Sequence, residues 1–153
     1  MRRNGERYFL FEEILMSVID MQTMRYINLL DRASSVKTSN CFVYNNTIIY
    51  AVPRAFVSRA VGPAASNIRA IQEQLGKKVR VVADSEGLQD ADRFIKDVVA
   101  PVSYKEIVIA NGEITITAGN IQSKASLIGR NRRRYEELKK IVQQMFGLDL
   151  RII

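Results

Sequence analysis

Apolar residues along this chain alternate between two spacings, one helical and one strand-like, and the switch between them occurs in the same order twice. From about residue 21, Met24, Ile27 and Leu30 recur at helical intervals, with Asp20 placed to cap the helix start. Two short apolar runs follow, CFVY (41–44) and TIIYAV (47–52). Between them lies Asn45-Asn46, a pair that tolerates the left-handed backbone of a tight hairpin turn. Pro53 then opens a short helix carrying Phe56, Val57, Ala60 and Val61, which Gly62 interrupts. A second helix over 65–75 places Ile68, Ile71 and Leu75 on one face and stops at Gly76, ahead of a strand KVRVVA (78–83).

The order then repeats. LQDADRFIKDVV (88–99) reads as a helix, and EIVIA (106–110) and EITITA (113–118) form a hairpin around Asn111-Gly112. IQSKASLI (121–128) is a short helix stopped by Gly129, and a longer helix carries Leu138, Ile141, Val142 and Met145 to Gly147 before LDLRII (148–153). The hairpin turns lie 66 residues apart and the loop glycines 67 apart. The expected class is therefore α+β, a two-layer arrangement with two tandem α-β-β-α-α-β units, each a three-stranded sheet with helices on one face. The expected boundaries are an N-terminal extension over 1–15, a first unit over 16–84 and a second over 85–153, with MSVID (16–20) as a short opening strand. Both connecting stretches, ADSEGLQDAD and APVS, are short, and a unit of this size is marginal alone, so the two should pack against each other.

Composition narrows the chemistry. The chain has no histidine and a single cysteine, Cys41, which removes zinc sites and Ser-His or Cys-His catalysis, and no spacing of carboxylates or lysines suggests an enzyme. No cofactor or metal is expected. YFLFEEILMSVI near the start is apolar but broken by Glu12 and Glu13, so it reads as neither a signal peptide nor a membrane span, and a cytoplasmic protein is expected. Twenty-three Lys and Arg against sixteen Asp and Glu leave a net charge of +7, which attracts an anionic partner, with nucleic acid first among the candidates.

That charge is concentrated. Residues 54–80 hold Arg54, Arg59, Arg69, Lys77, Lys78 and Arg80 against Glu73 alone. Residues 123–140 hold Lys124, Arg130, Arg132, Arg133, Arg134, Lys139 and Lys140 against Glu136 and Glu137, whereas 84–113 is net acidic. Glu136 and Glu137 stand at helical spacing from Lys139 and Lys140, so part of this run can be a solvated, self-paired face. Three consecutive arginines in the first turn of a helix oppose its dipole, an arrangement that makes sense where a polyanion docks. Gly62 and Gly129, at matching places in the two units, lack a side chain that would obstruct a phosphodiester, and each precedes a helix start with free N–H groups. Tyr44, Tyr50 and Tyr104 read as half-buried sheet residues, Met21, Met24 and Met145 as core filler, and Cys41 as a strand residue without a partner.

The α-β-β-α-α-β order with a glycine loop between the middle helices resembles the type II KH domain in tandem. VGPAASNIRAIQEQLGKKVRVV and LIGRNRRRYEELKKIVQQMFG are similar to the two KH loops and following helices of the archaeal NusA-like transcription factors, and the likeness runs from about residue 16 to the end. The resemblance implies single-stranded RNA binding on nascent transcripts, in transcription termination or antitermination, with RNA polymerase as a further candidate partner and neither membrane nor small-molecule substrate. It places the RNA-binding loops at Gly62-Pro63-Ala64-Ala65 and Gly129-Arg130-Asn131-Arg132. KH loops carry G-x-x-G and clamp the sugar-phosphate backbone. Here Ala65 and Arg132 stand in the second glycine position, and Pro63 has no N–H to donate. The second loop is therefore expected to contribute more affinity, and the first to act through Arg54, Arg59 and Arg69. The alternative is a KH-fold protein-interaction module with lost or weak RNA binding.

Overall fold

The computed structural model describes residues 21–153; the expected extension over 1–15, the strand over 16–20 and the Asp20 cap lie outside the described residues. Helix α1 occupies residues 21–34. There follow strands β1 (Asn40–Tyr44) and β2 (Thr47–Val52), helices α2 (Val57–Val61) and α3 (Ser66–Leu75), and strand β3 (Lys78–Ala83). The second half runs α4 (Ala91–Val99), β4 (Glu106–Ala110), β5 (Glu113–Thr117), α5 (Ile121–Ile128), α6 (Arg133–Phe146) and β6 (Asp149–Ile152).

Local chemistry accounts for the punctuation. Asn45 and Asn46 take φ of 52° and 56°, and Asn111 and Gly112 take 53° and 72°, so both hairpins close through two left-handed residues whose twist matches the flanking strands. Helices α3 and α6 both end on a left-handed glycine, Gly76 and Gly147, whose N–H returns to Gln72 and Gln143.

Each half contributes one sheet, in order β1-β2-β3 and β4-β5-β6, with the first pair antiparallel and the second parallel. A parallel return needs a crossover, which α2–α3 and α5–α6 supply on one face of their own sheet. That face of the first sheet buries Ile48, Tyr50, Val52 and Val79 against Tyr26, Leu30, Ala60 and Ile71.

The two sheets differ on their other faces. On the first sheet Phe42, Tyr44, Ile49, Ala51 and Val82 share one core with Phe94, Ile95, Val98, Leu138, Ile141 and Val142 of the second half. Every residue of β2 is therefore buried, since its two faces lie against different halves. The corresponding positions of the second sheet, Val108, Thr115 and Arg151, are not buried. Helix α4 is the shared element: Phe94 is fully buried, edge-on to Phe42 of the first half at 6.3 Å and to Phe146 of the second at 6.0 Å.

A polar latch reinforces that junction. Arg93 donates to the carbonyls of Ala83 and Asp84 at the end of β3, and to the carboxylates of Asp90 and Asp97. The Arg93 hydrogen bond holds the Asp90 carboxyl down to about 2. Arg80 donates to the Asp97 and Val98 carbonyls at the end of α4, so this member of the first basic segment is spent inside the protein.

Two side-chain readings change. Met21 and Met24 are 70% and 60% exposed rather than core filler, because the buried face of α1 is carried by Tyr26, Leu29 and Leu30. Met145 does pack against the core. Tyr44, Tyr50 and Tyr104 are buried rather than half-buried; the Tyr50 hydroxyl donates to the Tyr26 carbonyl at 2.6 Å and that of Tyr104 to the Asp92 carbonyl at 3.0 Å. Cys41 is buried in β1, and burial pushes its thiol up to about 12.

Candidate nucleic-acid interface

Two helix pairs, α2–α3 and α5–α6, are each joined by a loop of the same backbone course. Gly62 has φ 81° and ψ 166°, and Gly129 has φ 74° and ψ 172°, a region open to glycine alone. The third and fourth loop residues are both left-handed: Ala64 and Ala65 with φ of 52° and 59°, Asn131 and Arg132 with φ of 56° and 61°. Ser66 and Arg133 then enter regular helix. Two segments of unrelated sequence thus hold one conformation at equivalent places in the repeat.

That conformation has a cost. A left-handed residue bearing a Cβ is disfavoured by ~1–2 kcal/mol, partly offset by the greater flexibility of glycine in the unfolded chain. Ala65→Gly is therefore expected to raise stability by roughly 0.5–1 kcal/mol, read as a higher urea midpoint at unchanged slope. An unchanged or lower midpoint would show that Ala65 does not hold this geometry.

The first glycine of each loop serves the chain's own packing. A Cβ on Gly129 would lie 2.5 Å from Arg134 Cγ, and one on Gly62 would lie 2.8 Å from Asn67 Cγ, each residue five places further along. The sequence predicts that this space is open to an approaching phosphodiester. Instead it receives the next helix, and a ligand must approach the loop from its exposed side. Inside the loops, the Ala65 and Arg132 N–H groups donate back to the Gly62 and Gly129 carbonyls, and those of Ser66 and Arg133 to Pro63 and Arg130. The fourth-position amides are thus turned inward.

The basic residues divide by environment. Arg54, Arg59, Arg69, Lys124, Arg130, Arg132 and Arg133 are exposed, as are Pro63, Ala64 and Asn131, while Ala65 is half-buried. Arg134 is the exception among the first-turn arginines: half-buried, it pairs with Glu137 at 2.8 Å. Glu137 also accepts the Asn45 N–H of the first hairpin turn at 3.2 Å. The expected pairing of Glu137 with the lysines at 139 and 140 therefore gives way to Arg134, and the first unit's hairpin abuts the start of the second unit's loop helix. Arg132 lays its guanidinium over the Tyr135 ring at 4.8 Å, and the Tyr135 hydroxyl donates to the Leu150 carbonyl on β6. Neither the apolar spacing nor the charge run marks Tyr135; a tyrosine three residues beyond Arg132 on one helix is the available signal.

The surface beside the start of α2 is grooved. An open groove of about 430 Å³ runs along the free edge of β3, with Val57 and Val81 on its floor and Arg54, Arg80 and Arg93 around it. Arg80 and Arg93 are tied to carbonyls and carboxylates, which leaves Arg54 as its exposed cation. A second hollow at the loop is lined by Arg59, Val61, Gly62 and Pro63.

The chain is similar to known proteins in sequence and in fold. The chain is 22% identical over 128 residues to a probable transcription termination protein NusA of Halococcus morrhuae, covering 82% of this chain and 90% of that protein. Likeness to the protein of the same name from Halobacterium salinarum (strain ATCC 29341 / DSM 671 / R1) is 18% over 130 residues, 84% and 91% of the two chains. For Methanocaldococcus jannaschii it is 22% over 121 residues, 77% and 64% of the two chains. The chain is NusA-like. No family model matches it. The crystal structure of APE1850 superposes with a TM-score of 0.62 at 24% identity, covering 87% of this chain and 99% of that one, which supports the α+β fold with paired three-stranded sheets. Among the described residues of this NusA-like chain, no helix is long and apolar enough to cross a membrane, and no cluster of acidic or sulfur ligands could hold a metal ion.

Proposed function

We propose that the chain is a tandem type II KH protein that binds single-stranded RNA on nascent transcripts and acts in transcription termination or antitermination, with RNA polymerase as a further partner. The first KH unit ends near residue 84 and the second begins near 85. The observation that carries the reading is the pair of congruent loops, Gly62–Ala65 and Gly129–Arg132, each set between two helices and followed by a helix start. KH domains use such a loop against the sugar-phosphate backbone, with bases lying in an apolar groove alongside.

The two units divide the work. At the second loop Arg130, Arg132 and Arg133 supply exposed guanidinium groups that grip phosphate, and Lys124 adds charge from the preceding helix. Arg134 supports the loop from below. In the first unit, where Pro63 removes one donor, Arg59 and Arg69 supply exposed charge near the loop, and Arg54 stands at a groove whose valines can receive bases.

Anisotropy titration of an unstructured single-stranded RNA at rising salt tests the proposal. Affinity should fall with a log–log slope of about −0.7 for each phosphate contacted. Absence of binding at low salt would leave the protein-interaction module as the better reading.

A further inference from the structure

Among the described residues, the β1 edge of the first sheet lacks the charge and proline that usually keep a sheet edge unpaired. Strand β1 is one edge strand and reads NCFVY, with no charge and no proline, whereas its counterpart β4 opens on Glu106, directly after Lys105. Its hydrogen-bonding direction follows from the register. With a two-residue turn, Tyr44 and Thr47 form a hydrogen-bonded pair, and pairs alternate along the ladder, so Phe42 and Asn40 also face β2. The backbone N–H and C=O groups of Cys41 and Val43 therefore point off the sheet.

They point into a cleft of about 630 Å³ between α1 and α6. Tyr26 stands on the α1 wall, Ile141 on the α6 wall, and Phe42 and Val43 on the floor, with Val43 half exposed. Because α1 and α6 cover opposite faces of the first sheet, the gap between them beyond β1 continues the plane of the sheet. A further strand would lie about 4.8 Å from β1 in that plane. The rim carries Lys77 and Lys140, both exposed. The carboxylate beside them, Glu137, is already paired with Arg134. The cleft thus combines outward main-chain groups, apolar walls and positive charge at its rim.

We propose that this cleft docks an extended peptide of a protein partner, added to β1 as a fourth strand, with apolar side chains against Tyr26, Val43 and Ile141 and carboxylates reaching Lys77 and Lys140. Main-chain pairing supplies affinity in such strand addition, and the side-chain surroundings supply selection. The site is separate from the loops and does not rest on RNA binding.

Amide hydrogen exchange on the full chain tests the proposal residue by residue. The probes are a blocked pentapeptide alternating glutamate and valine, and its lysine–valine counterpart. At saturation the glutamate peptide should slow exchange at Cys41 and Val43 at least tenfold and leave Phe42 and Tyr44, already bonded to β2, unchanged. Lys77→Glu with Lys140→Glu, both at exposed positions, should abolish that slowing and confer it on the lysine peptide. The proposal is overturned by equal slowing with both peptides or by slowing with neither. It is also overturned if Cys41 and Val43 are already protected in the free chain, since the chain's own residues would then fill the edge.

Discussion

Phe94→Ala is expected to lower stability by about 3–5 kcal/mol, and to do so for both halves of the molecule at once. Phe94 is fully exposed to neither half and buried by both: its ring meets Phe42 and Phe146 edge-on, inside one core that runs from the first sheet to α6. Truncation loses the transfer energy of the ring, leaves a cavity between the halves and removes two aromatic contacts. Urea unfolding followed by circular dichroism and by residue-resolved exchange should show one transition at a lower midpoint, with amides of β2 and β5 losing protection together. Two separated transitions would show that each half stands alone and that α4 is not their common support.

The second large effect concerns the loops. Arg130→Ala with Arg132→Ala should weaken single-stranded RNA binding at least tenfold at low salt and flatten the salt dependence by about 1.4, two phosphate contacts at about 0.7 each. Arg59→Ala with Arg69→Ala should cost less, because these cations flank the first loop whereas Arg130 and Arg132 are part of the second. Titrations of both variants under one set of salt conditions make the comparison. A greater loss from the first-unit pair would reverse the ranking and point to the first loop as the principal contact.

Much of the architecture was legible because the decisive interactions are local. Helix α5 begins at Ile121 and ends at Ile128, as its apolar spacing and Gly129 indicate, and Asn120 caps it by accepting the Ser123 N–H. The hairpins follow from Asn45-Asn46 and Asn111-Gly112, which take the left-handed turn within two residues. The second glycine position was harder. Nothing in Ala65 or Arg132 announces a left-handed residue, and the conformation is imposed by the helices that the loop must join.

The basic run was misleading for a related reason. Arg132, Arg133 and Arg134 are neighbours in sequence, but a helix sends successive side chains about 100° apart, and Arg134 turns inward onto Glu137. Arg80 looks like another surface cation until α4 is brought to the end of β3, where its carbonyls take the guanidinium. The Arg134 pair is local, three residues along one helix, whereas the Arg80 assignment depends on groups remote in the chain.

Periodicity, turn chemistry and charge were enough to specify two copies of one α+β unit, their strands and helices, and a concentration of arginine at one loop, because each is set by residues within a few positions of one another. The shared core around Phe94, the covering of the first sheet on both faces and the cleft beside β1 between α1 and α6 arise only when the two halves meet. Their partners lie tens of residues apart, and the apolar pattern of a strand records that its face is buried without recording what buries it.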